Sequence, residues 1–297
     1  MADSRAGDAN RERDMTGPGE KMVLVALDGS REATRAVPVA RAVASQLHAR
    51  LAALHVAREP IPAELARPAA GLDTPELSDI PILVRAGRPA EVIVREAEQP
   101  EVELLVLTTL AGGDPDRELG SVARQVAINT THPILTMRPE IGADPASRAS
   151  PLVRLVVPLD GARATASALR PVTRLARRLG ASVDVVYVVT TGDGQGGRGS
   201  MPAPRYVDQA QHEWKQWTQE LADRLMVDCA GFSPDVHIGV SVREGEPGAE
   251  IVRFAREGRY DAIVLVRRSR LEPERAQTLR TVIRDSTCPL LMVGGEE

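Results

Sequence analysis

Two short segments hold residue types that could do chemistry. Asp28-Gly29-Ser30 follows an apolar run, and Gly120-Ser121-Val122 opens a helical pattern. A helix start presents backbone N–H groups and the positive end of the helix dipole, which suits an anion such as a phosphate. Gly120 would let the backbone approach that anion, and Ser121 would add a hydroxyl and an N–H. Both segments also have a plainer reading. Asp28-Gly29-Ser30 reads equally as a strand-to-helix turn with a cap, and Gly120-Ser121 as a plain helix start.

Other candidates carry less. Gly192-Asp193-Gly194-Gln195-Gly196-Gly197 satisfies G-x-G-x-x-G, but Ser200-Met201-Pro202-Ala203-Pro204 follows, so no helix opens there to meet a pyrophosphate. Arg267, Arg268 and Arg270 suggest a phosphate contact, although a solvated or salt-bridged loop explains them better. The five histidines are scattered, and His55 and His132 read as structural. No metal site is read from the spacing. Cys229 and Cys288 form no CxxC pair and read as reduced, partly buried thiols. There is no nucleophile elbow, no P-loop and no recognisable carboxylate pair, so no catalytic residue is assigned.

The elements that must position these residues follow from a repeat. Leu27-Asp28-Gly29 recurs as Leu159-Asp160-Gly161, an offset of 132. Gly87-Arg88-Pro89 recurs as Gly245-Glu246-Pro247 at offset 158, and His132-Pro133-Ile134-Leu135 as Cys288-Pro289-Leu290-Leu291 at offset 156. A period near 140 is too long for a solenoid unit and reads as two copies of one domain. In the first copy, apolar runs predict strands at Lys21–Leu27, Arg50–Val56, Ile80–Arg85, Glu103–Thr108 and Pro133–Met137. Helical spacing predicts helices at Arg31–His48, Pro89–Glu98 and Gly120–Asn129. The second copy repeats the series from Val153–Leu159 to Leu290–Val293 and adds a longer helix at Tyr206–Cys229. Its apolar stripe, Trp214 and Trp217 included, reads as core or interface. The Pro-rich Glu59–Asp79 stands at the corresponding place in the first copy, where the helix is short or missing.

Strands alternating with helices predict an α/β fold, with two doubly wound parallel sheets carrying helices on both faces. Ligands in such sheets bind beyond the carboxyl ends of the strands, where the winding reverses. The loops Asp28–Arg31 and Thr108–Ser121 lie at that place. Residues 1–19 read as a disordered tail and 140–151 as a linker, leaving domains at 20–139 and 152–297.

Composition narrows the partners. All seven aromatics lie at or beyond Tyr187, and the net charge is −4. Neither a basic footprint nor a stacking platform for nucleic acid is present. No apolar run is long enough for a bilayer, and the N-terminus has no secretory h-region. The expected setting is the cytoplasm, with no nucleic acid and no membrane as partner.

The two copies of V-x-(P)-x-D-G, then G-x-P-x-x-x-I, then a final P-I/L strand, with G-S-V-A before that strand in the first, resemble tandem universal stress protein domains. The resemblance covers nearly all of residues 21–138 and 152–293. It implies a five-stranded parallel sheet of order 3-2-1-4-5 in each copy. It implies pairing of the two copies through Pro133–Met137 and Pro289–Val293, so that one chain imitates a homodimer. A true homodimer and a regulatory protein partner are further expectations. It also implies an adenine nucleotide site for ATP, with or without magnesium, and a role in stress-response regulation. The alternative is an interaction module that has lost its nucleotide. Asp28, Gly120, Ser121 and Val122 match the family's nucleotide-binding positions, and Gly112 beside Gly113 partly replaces two glycines that are absent. In that setting Asp28 would accept from ribose or adenine, or hold magnesium through water. In the second copy Pro158 and Asp160 match, but Ala276-Gln277 stands where Gly-Ser is expected. Each half keeps a different part of the site.

Overall fold

The computed structural model describes residues 20–109, 120–143, 151–159, 169–189, 220, 223, 236–267 and 273–294. The first half runs β1 (Met22–Leu27), α1 (Arg31–Thr34), α2 (Val37–Gln46), β2 (Arg50–Ala57), α3 (Ala63–Ala69), β3 (Ile82–Ala86), α4 (Pro89–Ala97), β4 (Val102–Thr108), α5 (Ser121–Asn129) and β5 (Ile134–Met137). A short helix α6 (Pro139–Ala143) follows. The second half supplies β6 (Arg154–Leu159), α7 (Leu169–Leu179), β7 (Ser182–Val189), β8 (Ile238–Glu244), α8 (Pro247–Glu257), β9 (Ala262–Arg267), α9 (Pro273–Asp285) and β10 (Leu290–Gly294).

These strands form one ten-stranded sheet, ordered β3-β2-β1-β4-β5-β10-β9-β6-β7-β8. Each half therefore has the expected 3-2-1-4-5 order, with all pairs inside a half parallel. The halves meet at β5 and β10, which pair antiparallel with Thr136 opposite Leu290 and Ile134 opposite Met292. The central strands are apolar on both sides because helices cover both faces of the sheet. Val23, Val25 and Leu27 face one way, into a single core that also takes Leu155, Val157 and Leu159 of the second half. On the other face two separate clusters lie under α4 and α5 and under α8 and α9. The late aromatics belong to the second half: Tyr187 is buried in the shared core, and Phe254 stacks on Tyr260 at 5.3 Å.

One helix departs from the sequence expectation. Arg31–His48 is broken into α1 and α2 by Pro38, which has no N–H and whose ring crowds the carbonyl four residues back, at Thr34. The expected shortness of the first-half counterpart helix is real: α3 has seven residues, contains Pro68, and gives way to a 3-10 turn at Pro75–Leu77. The tail, residues 144–150 of the linker, the glycine-rich run at 192–197, Trp214, Trp217 and Cys229 lie outside the described residues. Of Tyr206–Cys229, only Glu220 and Asp223 are described, and both are helical. Among the described residues no helix is long and apolar enough to cross a membrane.

Candidate functional site

The first-half site is built where β1 and β4 end. Leu27 is the last buried residue of β1, and His55 of β2 fixes its carbonyl through Nδ1 at 2.9 Å. A carbonyl only accepts, so this contact needs the tautomer with its proton on Nδ1. The chain then turns outward. Exposed Asp28 accepts through Oδ1 from the Ser30 N–H at 2.9 Å and from the Ser30 hydroxyl at 2.6 Å. Ser30 in turn caps α1 by accepting from the Ala33 N–H at 3.1 Å. The plainer reading of this segment is therefore correct as far as it goes: it is a capped strand-to-helix turn. It leaves Asp28 Oδ2 without a hydrogen-bond partner among the described residues.

Gly29 is the residue that lets the turn close. Its φ is +88°, and a Cβ there would stand 2.3 Å from the Ala69 carbonyl oxygen. The end of α3 thus rests directly on the turn, and Gly71, at φ +71°, backs it from the same side, near Thr34 and the Gly29 carbonyl. Sequence reading missed this contact. The one signal was Gly71 placed just after Pro68, which marks where α3 must stop.

At the end of β4, Thr109 is buried and held by Met137, whose carbonyl accepts from the Thr109 N–H at 2.8 Å and from its hydroxyl at 3.3 Å. The Thr109 carbonyl accepts the Gly120 N–H at 2.6 Å. Residues 109 and 120 are thereby stitched together at the base of the intervening segment, which includes Gly112 and Gly113 and lies outside the described residues. The Gly120 N–H is thus taken by Thr109, which leaves Ser121 as the first residue of the segment with an N–H uncommitted among the described residues. The Gly120 φ of −58° is open to any residue, so its contribution is a missing side chain, not a special backbone. Among the described residues no side chain caps α5, and exposed Ser121 and Val122 stand in its first turn. The N–H groups of a first turn have no partner inside the helix.

The register brings the two segments together. Val25 pairs with Val106, and counting onward puts Asp28 level with Thr109, one residue past each strand end. The ladder between the two strands stops at Val25–Val106, so the chains part before these residues, and Thr109 holds Gly120 directly. Asp28 and the bare end of α5 therefore flank one crevice. Among the described residues no group of three or more His, Cys, Asp or Glu could hold a metal ion. Asp28 is the carboxylate at this place, among the described residues, that could hold a magnesium ion.

The second half differs in two ways. The β6–β9 ladder has the pairs Leu155 with Ala262 and Val156 with Ile263, but the counterpart of the Val25–Val106 pair is absent. Pro158 explains this, since it stands where Ala26 supplies an N–H in the first half and can donate nothing. The crevice between the strands opens one pair earlier. In addition, α9 starts at Pro273, ahead of Ala276-Gln277. The position that opens a helix in the first half is inside one in the second, so its backbone N–H groups are in the helical ladder. Asp160, Arg268 and Arg270 lie outside the described residues, and Arg267 ends β9.

Comparison with known proteins gives one result. The sequence model of the universal stress protein family matches residues 20–138 and 153–294. A universal stress protein of Thermus aquaticus is 32% identical over 136 residues, which is 40% of this chain and 98% of that protein. One from Methanocaldococcus jannaschii is 26% identical over 143 residues, or 47% of this chain and 81% of the relative. Among solved structures, a universal stress protein from Archaeoglobus fulgidus overlays with a TM-score of 0.59 at 15% identity, covering 93% of this chain and 97% of that one. The single-domain relatives correspond to one half each, and the Archaeoglobus structure corresponds to the whole fold.

Proposed function

This chain belongs to the universal stress protein family, which it carries twice, and from that premise we propose that its first domain, 20–139, binds an adenine nucleotide and that the protein acts as a stress-response regulator in the cytoplasm. The observation that carries the reading is the bare first turn of α5 beside exposed Asp28. The Ser121 and Val122 N–H groups and the Ser121 hydroxyl would receive a phosphate, favoured by the helix dipole. Asp28 Oδ2 would accept from a ribose hydroxyl or hold magnesium through water. The nucleotide would supply a charged, exchangeable ligand whose presence reports cellular state. We assign no catalytic residue.

The test is thermal unfolding with and without magnesium ATP. At 100 times its dissociation constant, ATP should stabilise the protein by about 2.7 kcal/mol. That amounts to a rise of about 5–10 °C at roughly 2–4 °C per kcal/mol. Asp28→Ala removes a charged acceptor worth about 1.5–3 kcal/mol, so the rise should fall by half or more at the same ATP concentration. No rise in wild type at millimolar ATP with magnesium would sink the reading. The commitment of the Gly120 N–H to Thr109 favours a second reading, a nucleotide-free module that acts through protein contacts. Partner capture indifferent to ATP would support it.

A further inference from the structure

Between β2 and β3 the first half carries a strap, residues 58–81, that is folded around one side chain. The Arg67 guanidinium donates to three carbonyls of the strap itself: Ile80 at 3.0 Å, Leu72 at 3.2 Å and Leu77 at 2.6 Å. The Arg67 carbonyl accepts from the Leu72 N–H at 2.9 Å, closing the bend after α3. A second fastening comes from α2, where Arg41 meets both oxygens of Asp79, at 2.6 and 2.9 Å. Ala70 and Leu72 are fully buried beneath the strap. Its inner edge is the part that touches the site: the Ala69 carbonyl and Gly71 press on Gly29, backbone against backbone.

We propose that Arg67 is a positioning residue for the first-half site: by holding the strap in shape it pins Gly29 from outside and so sets the turn that aims Asp28 at the crevice. The proposal rests on the nucleotide reading only for what the turn is aimed at. The carbonyls of Leu72, Leu77 and Ile80 belong to no strand, and apart from the Ile80 N–H on Leu77 Arg67 is the donor among the described residues that ties the three together. A planar fork with fixed nitrogen spacing serves three such acceptors better than a single ammonium. Without that fork the strap keeps its buried anchors, Ala70 and Leu72, but loses the shape that seats residues 69–71 on the turn.

The experiment uses the full chain and compares Arg67→Met, which keeps the packing stem and removes the donors, with Arg67→Lys. Hydrogen exchange is followed without nucleotide, and magnesium ATP affinity is measured separately. Arg67→Met should speed exchange in residues 28–34 about tenfold, leave β7 and β8 at wild-type rates, and weaken ATP binding by a similar factor. Arg67→Lys should restore part of both, which a purely packing role would not. Gly71→Ala serves as a second variant: its Cβ would stand 3.0 Å from the Thr34 methyl at a positive φ, lifting the strap with Arg67 intact, and should speed the same exchange. Wild-type exchange over residues 28–34 in both Arg67→Met and Gly71→Ala would overturn the proposal. If wild type binds no ATP while Arg67→Met still speeds exchange there, the positioning role stands and the nucleotide reading falls.

Discussion

Gln46 should decide whether the two halves unfold as one body. It lies at the end of α2 and reaches into the second half, where its amide pairs with a backbone amide as a strand would. The Leu152 N–H donates to Gln46 Oε1 at 2.9 Å, and Nε2 donates to the carbonyls of Leu152 at 3.0 Å and Leu179 at 2.5 Å. Leu152 and Leu179 are themselves buried in the shared core. Nearby, Arg178 meets Glu103 at 2.7 Å across the same boundary. Gln46→Glu keeps the shape but removes the donor, so a carboxylate faces two carbonyls that no longer have a partner. Each hydrogen bond lost in a partly buried place costs about 1 kcal/mol, and more where a group is left unsatisfied. The expected loss is about 3 kcal/mol, or a fall of about 6–12 °C in Tm. Calorimetry checks both parts. Wild type should show one transition, because β5 pairs with β10 and one core runs through both halves. Gln46→Glu should lower that single transition. Two transitions in wild type, or a change below about 0.5 kcal/mol in the variant, the size of an ordinary surface substitution, would refute the argument.

Three further outcomes are expected. Gly29→Ala should cost about 2–4 kcal/mol in a denaturant titration, because it combines a positive φ with a Cβ 2.3 Å from the Ala69 carbonyl oxygen; a neutral result would mean that α3 does not rest on the turn. Burial raises the Glu98 carboxyl, but the hydroxyls of Thr130 and Thr131, the Thr131 N–H and nearby His132 outweigh it and bring it down to about 2. A depressed carboxyl stabilises above its unfolded value of 4.5 and loses that contribution as pH falls towards 2. With 33% of the side chain exposed, screening holds the gain to about 1 kcal/mol. Glu98→Gln should therefore be less stable at neutral pH and lose less between pH 4.5 and 2; parallel acid curves for both proteins would count against it. Burial pushes the Cys288 thiol up to about 11. In a Cys229→Ser background a thiol reagent should then label it only as fast as the protein unfolds, and rapid labelling of the folded protein would contradict this.

The parts of this fold legible in the sequence are those written as periodic patterns. The run Met22–Leu27 predicts a strand buried on both sides because every residue in it must meet a helix, and the offset of 132 makes the second half a copy of the first. Pro38 shows how far that legibility goes. The helical spacing on either side of it is real, yet one missing N–H breaks the helix. The candidate site was legible as residue types and not as commitments. Asp28 and Gly120 were found by type, but the Thr109 carbonyl that takes the Gly120 N–H comes from another strand's end, and no local pattern announces it. Arg67 is harder still, since its three acceptors are carbonyls that every residue possesses. Pro158 lies between these cases. Its missing donor is plain in the sequence, but the consequence, a ladder that ends one pair early, needs the register of β9 to be known. The two halves thus share a pattern that fixes strand order, while each crevice is set by single residues whose partners lie elsewhere in the chain. Similarity between the halves therefore argues for a common fold and leaves ligand binding to be tested in each half separately.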